Sequence, residues 1–217
     1  MTNKMAGLPD ELHAYVVAHG SAPDALVADL IGETRAALPR WMVMQIAPEQ
    51  AGFLTMMARI TGARYAVEVG TFTGLSSIAI ARGMGTDGRL LCCDVSEEFT
   101  AIARKYWARA GLDERIELRL APAVETLRAL PVQEHVDLAF IDADKTGYSA
   151  YWAELVPRMR PGGVILVDNV LRHGEVLHPE NADAHAIVAF NEQVLADERV
   201  DAVMLPIADG MTIARKK

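Results

Sequence analysis

The 217-residue sequence predicts an α/β fold built on a doubly wound, mostly parallel β-sheet. From residue 64 onward, short apolar runs alternate with helical segments, which is typical of right-handed βαβ crossovers. Most of these runs are largely apolar, as expected where helices cover both faces of a parallel sheet. Near the C-terminus, Asp209-Gly210 separates two apolar runs and predicts a hairpin, so one strand should run antiparallel to the others.

The segment before residue 64 has no strand signal and is predicted to be helical. Helices are expected over residues 9–18, 23–38 and 48–61. Asp24 is placed to cap or charge the first turn of the second helix. In the third helix, the apolar residues Phe53, Leu54, Met57 and Ile60 fall on one face, which we expect to be the buried face.

Strands and helices alternate through the rest of the chain. Strands are expected over residues 64–69, 88–94, 115–120, 136–141, 164–167, 200–205 and 211–214. Helices are expected over residues 73–84, 97–110, 123–130, 148–159 and 182–195. Pro161-Gly162-Gly163 is predicted to end the helix before the fifth strand. With no repeat or linker, we expect one domain over residues 1–217, with helices in 1–62 and an α/β core in 63–217.

Composition and charge narrow the classes of partner. The 21 basic and 29 acidic residues give a net charge of −8, which disfavours nucleic acid as a partner. No apolar run reaches the roughly 18 residues of a membrane span, and residues 1–10 lack the apolar core of a signal peptide. Adjacent Cys92 and Cys93 should point to opposite faces of a strand, so they form neither a disulfide nor a metal-binding pair. We therefore expect a cytoplasmic protein with reduced thiols and no membrane partner.

The turn after the first strand carries the first signal of a ligand site. Gly70 and Gly74 allow the backbone and a helix N-terminus to approach an anionic group. Asp94 closes the second strand, where an acid can accept hydrogen bonds from both hydroxyls of a ribose. Glu68 offers a negative charge to an ammonium group. Because the spacing is not Gly-x-Gly-x-x-Gly, the pattern favours a nucleoside cofactor without a pyrophosphate, such as S-adenosylmethionine, over a nicotinamide dinucleotide.

Each of these residues also has a purely structural interpretation. A glycine-rich turn after a strand is often only a tight turn. Glu68 could serve as the partner of a helix dipole, and Asp94 could cap the helix that begins at residue 97. The combination of all three signals, in this order, favours the cofactor site.

Acidic and amide side chains follow the fourth and fifth predicted strands. Asp142 comes after residues 136–141, and Asp168 and Asn169 come after residues 164–167. Since the tips of neighbouring parallel strands meet at one edge of a sheet, these three side chains should come together. Oxygen ligands without histidine or cysteine suit Mg²⁺, with Mn²⁺ and Ca²⁺ as alternatives. The competing interpretation is that these residues only cap the strand ends.

These motifs together resemble the metal-dependent, S-adenosylmethionine-dependent O-methyltransferases of the catechol and caffeoyl-CoA type, in particular their bacterial branch. The similar blocks span about four-fifths of the chain, at residues 44–50, 68–76, 141–145, 168–169 and 205–210. The resemblance implies a seven-stranded Rossmann-like sheet. It also implies a homodimer whose N-terminal helices shape the acceptor pocket and the dimer contact.

The resemblance further implies roles for individual residues. The implied cofactor contacts are Met44, Glu68, Gly70, Thr71, Ser76, Asp94, Ala123 and Asp142. The implied metal ligands are Asp142, Asp168 and Asn169. Lys145 matches the general base of the family, and Asp144 matches a substrate or cofactor contact. The competing interpretation of Lys145 is a surface ion pair with Asp144.

The acceptor side of the site departs from the family pattern. Arg172 stands where many relatives have tryptophan, and His173 stands where plant relatives have a substrate-contacting asparagine. Both residues are expected to touch the substrate. Trp41 precedes the Met44 block and is expected to wall the acceptor site. The aromatic residues that follow Lys145 are expected to belong to the core, namely Tyr148, Tyr151 and Trp152.

The resulting hypothesis is Mg²⁺-dependent methyl transfer to a hydroxyl of a small catechol-like diol. The metal would chelate two adjacent oxygens and lower the pKa of the attacking hydroxyl, whose proton Lys145 would remove. One alternative, implied by some bacterial relatives, is methylation of a hydroxylated tRNA base. The acidic charge and the lack of a basic stripe disfavour it. Another alternative is a non-catalytic cofactor-binding protein, which would not require three ligands and a lysine.

Overall fold

The computed structural model describes residues 8–217 and confirms the α/β class. The strands are β1 (Tyr65–Val69), β2 (Arg89–Asp94), β3 (Ile116–Leu120), β4 (Val136–Ile141), β5 (Met159–Asp168), β6 (Val200–Leu205) and β7 (Met211–Lys216). They form one seven-stranded sheet in the order β3-β2-β1-β4-β5-β7-β6. The β1, β2, β3, β4 and β5 pairings are parallel, whereas β7 is antiparallel to both β5 and β6. The predicted hairpin therefore produces the predicted antiparallel strand.

The helices agree with the predicted ranges to within a few residues. They are α1 (Asp10–Ala18), α2 (Ala25–Ala37), α3 (Pro48–Ile60), α4 (Leu75–Gly83), α5 (Glu97–Arg109), α6 (Ala123–Ala129), α7 (Tyr148–Leu155) and α8 (Ala182–Ala196). Short 3₁₀ segments that were not predicted cover Met42–Met44, Lys145–Gly147 and Val156–Arg158, and a kinked segment with non-helical backbone at His173 and Gly174 covers Arg172–Leu177. At the start of α2, Asp24 Oδ1 accepts a hydrogen bond from Val27 N at 2.9 Å, so the predicted cap is confirmed.

Apolar side chains cover both faces of the sheet. On one face, Leu54 of α3 and Ile78 of α4 belong to the same buried cluster as Cys92 of β2. On the other face, Trp152 of α7 belongs to a second buried cluster, together with Cys93. The two cysteines are buried free thiols on opposite faces, as alternation along a strand requires. No helix within residues 8–217 is long and apolar enough to cross a membrane.

Three local expectations are wrong. Pro161-Gly162-Gly163 lies inside β5 rather than before it. The pairing of β4 with β5 already begins where Val136 pairs with Met159, and its register shifts before Leu138 pairs with Val164. Ile60 is 71% exposed, because the buried stripe of α3 instead follows Gln50, Leu54 and Ala58 at intervals of four residues. Strands β3 and β6 are largely exposed rather than buried throughout, because they form the two edges of the sheet. The expectation that the N-terminus lacks a signal-peptide core concerns residues 1–10, of which residues 1–7 lie outside the described part of the chain.

Candidate active site

A cavity of about 810 Å³ opens at the carboxyl ends of the central strands. Its wall includes the last residue of β2 and of β5, and the residues that follow β1 and β4. Most of the residues that the sequence predicts for the site line it, namely Met44, Gly70, Thr71, Ser76, Asp94, Ala123, Asp142, Asp144, Lys145, Asp168, Asn169, Arg172 and His173. Glu68 and Trp41 are not among the described residues that line the cavity.

Gly70 allows the tips of β1 and β4 to approach each other closely. Its φ is +90°, and a Cβ at this position would lie 1.9 Å from the carbonyl oxygen of Asp142. Asp142 N in turn donates a hydrogen bond to Val69 O at 2.8 Å. Because a side chain would collide with backbone, glycine is required here by packing as well as by the turn.

Asp94 holds the glycine-rich turn. Its Oδ2 accepts hydrogen bonds from Thr71 N and Phe72 N, both at 2.9 Å, and its Oδ1 accepts one from Ser96 N at 2.8 Å. The cap of α5 is Ser96, whose Oγ accepts from Phe99 N at 3.2 Å, so the interpretation of Asp94 as that cap is wrong. A carboxylate has about four lone-pair sites, so these three bonds leave one site, on Oδ1, for a donor from a ligand in the cavity.

Glu68 lies behind the wall of the cavity rather than on it. Its side chain is fully buried, and its Oε2 accepts a hydrogen bond from Cys92 Sγ at 3.2 Å. Its Oε1 has no hydrogen-bond partner within residues 8–217. Burial raises the pKa of this carboxyl to about 7, against the opposing influence of the Ser76, Cys92 and Thr71 side chains. The expected direct contact with a cofactor would therefore need a shift of the wall between them.

We expect Glu68 to make the stability of the cofactor-free protein depend on pH. Because its pKa is raised from 4.5 to about 7 in the folded state, its contribution is complete below about pH 4.5 and is lost as the pH rises through 7. Glu68→Gln cannot ionise. It should reduce the fall in unfolding free energy between pH 6 and 8 by about 1 kcal/mol, measured by urea denaturation. Exposed Glu192 provides the control Glu192→Gln, and equal pH slopes for wild type and Glu68→Gln would contradict this assignment.

The tips of β4 and β5 bring the predicted oxygen ligands to one place. Ile141 pairs with Val167 across the two strands, so Asp142 and Asp168 follow at adjacent tips. Asn169 has a left-handed backbone with φ of 58°, which is uncommon for a residue other than glycine. Burial, together with the nearby negative charge of Asp142, raises the pKa of Asp168.

Lys145 lies among these oxygens. Its Nζ donates toward Asp142 Oδ1 at 3.2 Å, Ala143 O at 2.9 Å, Tyr148 Oη at 2.7 Å and Asn169 Oδ1 at 2.7 Å. The side chain is only 11% exposed, so the competing interpretation of a surface ion pair with Asp144 is wrong. Its carboxylate partner is Asp142 instead.

The oxygen ligands fit a divalent cation in chemistry and in placement. Two carboxylates and one amide form a hard oxygen donor set, and two of the three side chains already converge on the positive charge of Lys145. Within residues 8–217, no three acidic, histidine or cysteine side chains form a metal-binding group. The set therefore depends on Asn169 as its third member.

Tyr148 and Tyr151 belong to the buried core, as expected, and their hydroxyls also take part in this region. The hydroxyl of fully buried Tyr148 accepts from Lys145 Nζ and donates to Asp168 O at 3.0 Å. Tyr151 lines the cavity, and its hydroxyl donates a short hydrogen bond to Asp144 Oδ1. Trp152, the third aromatic residue expected in the core, is fully buried in the same cluster and packs edge-on against Phe190. Both tyrosines lie on the first turn of α7, shortly after Lys145. This closeness in sequence was the signal that could have placed them near the site.

The loop that carries the predicted acceptor contacts lines the cavity and has unusual backbone geometry. Arg172 and His173 have φ of 48° and 52°, and Gly174 follows at 90°. Buried Asp209, from the turn between β6 and β7, holds this loop by accepting from His173 N at 2.6 Å through Oδ1. Arg172 Nη2 lies 3.6 Å from Glu175 and 3.7 Å from Asp183, longer than charge-assisted hydrogen bonds. From the sequence, Asp209 was predicted only as a turn residue.

Trp41 is placed differently from the expectation. Its side chain is 51% exposed and packs against Phe99 with ring centroids 6.0 Å apart. Phe99 itself lines the cavity. Trp41 therefore supports the wall from outside, because the 3₁₀ turn Met42–Met44 brings Met44 to the cavity in its place.

Comparison with known proteins identifies the family of this chain. A family profile described as O-methyltransferase matches residues 18–217. The probable caffeoyl-CoA O-methyltransferase 1 of Dictyostelium discoideum is 41% identical over 209 residues, which cover 93% of this chain and 90% of that protein. The crystal structure of a putative O-methyltransferase from Klebsiella pneumoniae superposes with a TM-score of 0.87 at 32% identity, covering 95% of this chain and 96% of the other. An O-methyltransferase from Bacillus cereus in complex with SAH gives 0.86 at 33% identity, covering 95% and 97%.

The seven-stranded sheet with its cavity at the strand tips defines an α/β methyltransferase fold. The chain belongs to the S-adenosylmethionine-dependent O-methyltransferases of the caffeoyl-CoA and catechol type. The resemblance found in the sequence is thereby confirmed. The chain is an enzyme, and the alternative of a non-catalytic cofactor-binding protein is set aside.

Proposed function

We propose that this O-methyltransferase transfers a methyl group from S-adenosylmethionine to one hydroxyl of a small aromatic vicinal diol, with Mg²⁺ held by Asp142, Asp168 and Asn169. The observation that carries the proposal is the position of Lys145. Its Nζ lies within hydrogen-bond distance of Asp142 and Asn169, at the wall of the cavity. The neutral form of this amine would therefore be a proton acceptor beside an oxygen-rich cation site, as deprotonation of a diol at that site requires.

The cofactor side of the cavity consists of the glycine turn and Asp94. When bound, S-adenosylmethionine supplies an electrophilic methyl group, and Mg²⁺ lowers the pKa of a coordinated hydroxyl. We propose that Gly70 and Thr71 hold the methionine end of the cofactor and that Asp94 accepts from a ribose hydroxyl, since all three residues line the cavity. Met44, Ser76 and Ala123 complete the proposed contacts.

Lys145 handles the proton of the attacking hydroxyl. In its neutral form, with its two N–H groups donated to the carbonyl of Ala143 and the hydroxyl of Tyr148, the Nζ takes that proton on its free lone pair and becomes the ammonium. Tyr148 is fixed in turn because its own hydroxyl donates to the backbone of Asp168. Most of the rate enhancement then comes from holding two reactants in one cavity, which is worth several kcal/mol of barrier.

The acceptor is tested most simply by a matched series of small aromatics. Catechol should be methylated once, whereas phenol and guaiacol, which lack a free vicinal diol, should be turned over at least about 100-fold more slowly, because they cannot use the metal as chelating diols do. Products are read by mass spectrometry and NMR. Equal rates for phenol and catechol would contradict the diol proposal. Methylation of tRNA with inert catechols would favour the tRNA alternative, which the net charge of −8 disfavours.

We also propose that the chain is one cytoplasmic O-methyltransferase domain that forms a homodimer through its N-terminal helices. Leu12, Tyr15 and Val16 are 40–59% exposed and share one face of α1, so an apolar surface is available there. The buried free thiols Cys92 and Cys93 suit a reducing compartment. Light scattering should give twice the chain mass, and a monomer at micromolar concentration would contradict the dimer.

A further inference from the structure

Gln50 connects the N-terminal helices to the proposed metal site. It is the third residue of α3, its side chain is 1% exposed, and it lines the cavity. Its Nε2 donates a hydrogen bond to Asp168 Oδ2 at 2.8 Å. The two residues are 118 positions apart in the sequence, so only the fold brings them together.

A second hydrogen bond fixes which end of the Gln50 amide faces the carboxylate. Its Oε1 accepts from Ala47 N at 2.9 Å, in the turn that begins α3. A backbone N–H can only donate, so the oxygen end of the amide must face Ala47. The NH₂ end must therefore face Asp168, and a flipped amide would lose both bonds.

Asp168 is consequently held from two sides. Its Oδ1 accepts from Asn169 N at 2.8 Å, while its Oδ2 accepts from Gln50. The residue is 2% exposed, so these two donors define the plane of a carboxylate that water barely reaches. Each oxygen retains further lone-pair capacity for another partner at the cavity.

We infer that Gln50 is a positioning residue that orients the Asp168 carboxylate for a divalent cation, so that the N-terminal helices contribute to metal affinity. The inference rests on the proposed metal role of Asp168. Groups that orient metal ligands through hydrogen bonds typically change metal affinity about 10–100-fold. A purely structural role as the helix-start acceptor would instead affect stability and leave metal affinity alone.

The experiment measures Mn²⁺ binding by calorimetry and electron paramagnetic resonance, with the full chain saturated with S-adenosylhomocysteine. Gln50→Met keeps the size of the side chain but removes the donor. Gln50→Asn is the second variant, since its amide is one methylene too short to span Ala47 and Asp168. Gln45→Met is the matched control, because the Gln45 Nε2 donates to the hydroxyls of Thr34 and Thr73 rather than to a carboxylate.

Both Gln50 variants should raise the Mn²⁺ dissociation constant about 10–100-fold. The affinity for S-adenosylhomocysteine should stay within about threefold of wild type. The metal concentration for half-maximal activity should rise in parallel, and saturating metal should restore most of kcat. Unchanged Mn²⁺ affinity in a folded Gln50 variant, or an equal loss in Gln45→Met, would overturn the inference. If wild type itself binds no divalent cation, the proposed metal role fails, which is a separate result.

Discussion

Asp168→Ala is expected to lower kcat at least about 1000-fold while leaving S-adenosylhomocysteine binding within a few-fold of wild type. A bound metal contributes several kcal/mol of transition-state stabilisation, and each 1.36 kcal/mol corresponds to a factor of ten. Asp168 is 2% exposed, and its carboxylate lies at the β5 tip beside Asn169. The measurement is steady-state turnover of catechol at saturating S-adenosylmethionine, together with calorimetric titration of S-adenosylhomocysteine.

The control for this prediction is Asp201→Ala. Asp201 lies near the start of β6, at the opposite end of the strands from the cavity, and pairs only weakly with Lys217 at 3.7 Å. This variant should retain wild-type turnover. Loss of cofactor binding in Asp168→Ala would show that the carboxylate supports the whole cavity rather than a metal. Retention of more than a tenth of wild-type kcat would contradict its role as a metal ligand.

Lys145→Met should reduce kcat by about 10²–10⁴-fold, the usual contribution of a positioned general base, with little change in cofactor affinity. The residual rate should rise with pH, because solvent must then take the proton. Metal binding should be at least as tight as in wild type, since the variant removes an ammonium that contacts the Asp142 and Asn169 oxygens. Turnover and Mn²⁺ titration check the two parts separately.

The control for Lys145 is Lys105→Met. Lys105 is 54% exposed on α5 and pairs with Glu33 at 2.7 Å, so its loss should leave kcat unchanged. A collapse of Mn²⁺ affinity in Lys145→Met would assign the lysine to holding the ligands. An unchanged kcat would remove it from the reaction.

Much of the fold could be predicted from the sequence because most strands and helices are marked by their local residue pattern. Strand β4 and strand β6 have the predicted bounds, since each is a mostly apolar run set off by polar or turn residues. Pro161-Gly162-Gly163 was wrongly predicted to lie before the fifth strand, because proline and glycine usually interrupt strands. Here they form an irregular stretch of β5 where Gly162 has φ of +80°. Local residue type cannot reveal that the pairing with β4 continues across them.

Some residues of the candidate site could likewise be predicted from the sequence, and others could not. Residues at strand tips, such as Asp94, Asp142 and Asp168, could be placed from their position after a strand, because tips of parallel strands share one edge. The support from Gln50 and Asp209 could not be predicted, since each acts through a contact distant in sequence. The left-handed backbone of Arg172 gave no sequence signal either, because a long side chain adopts it only under tertiary constraint.

The most direct test of the central claim is metal dependence of catechol methylation. The enzyme is treated with EDTA, freed of chelator, and assayed with S-adenosylmethionine and catechol before and after addition of Mg²⁺. The arrangement of Asp142, Asp168, Asn169 and Lys145 predicts loss of at least about 99% of activity on chelation, restored by Mg²⁺. Full activity in the metal-free enzyme, with catechol still methylated once, would contradict the account.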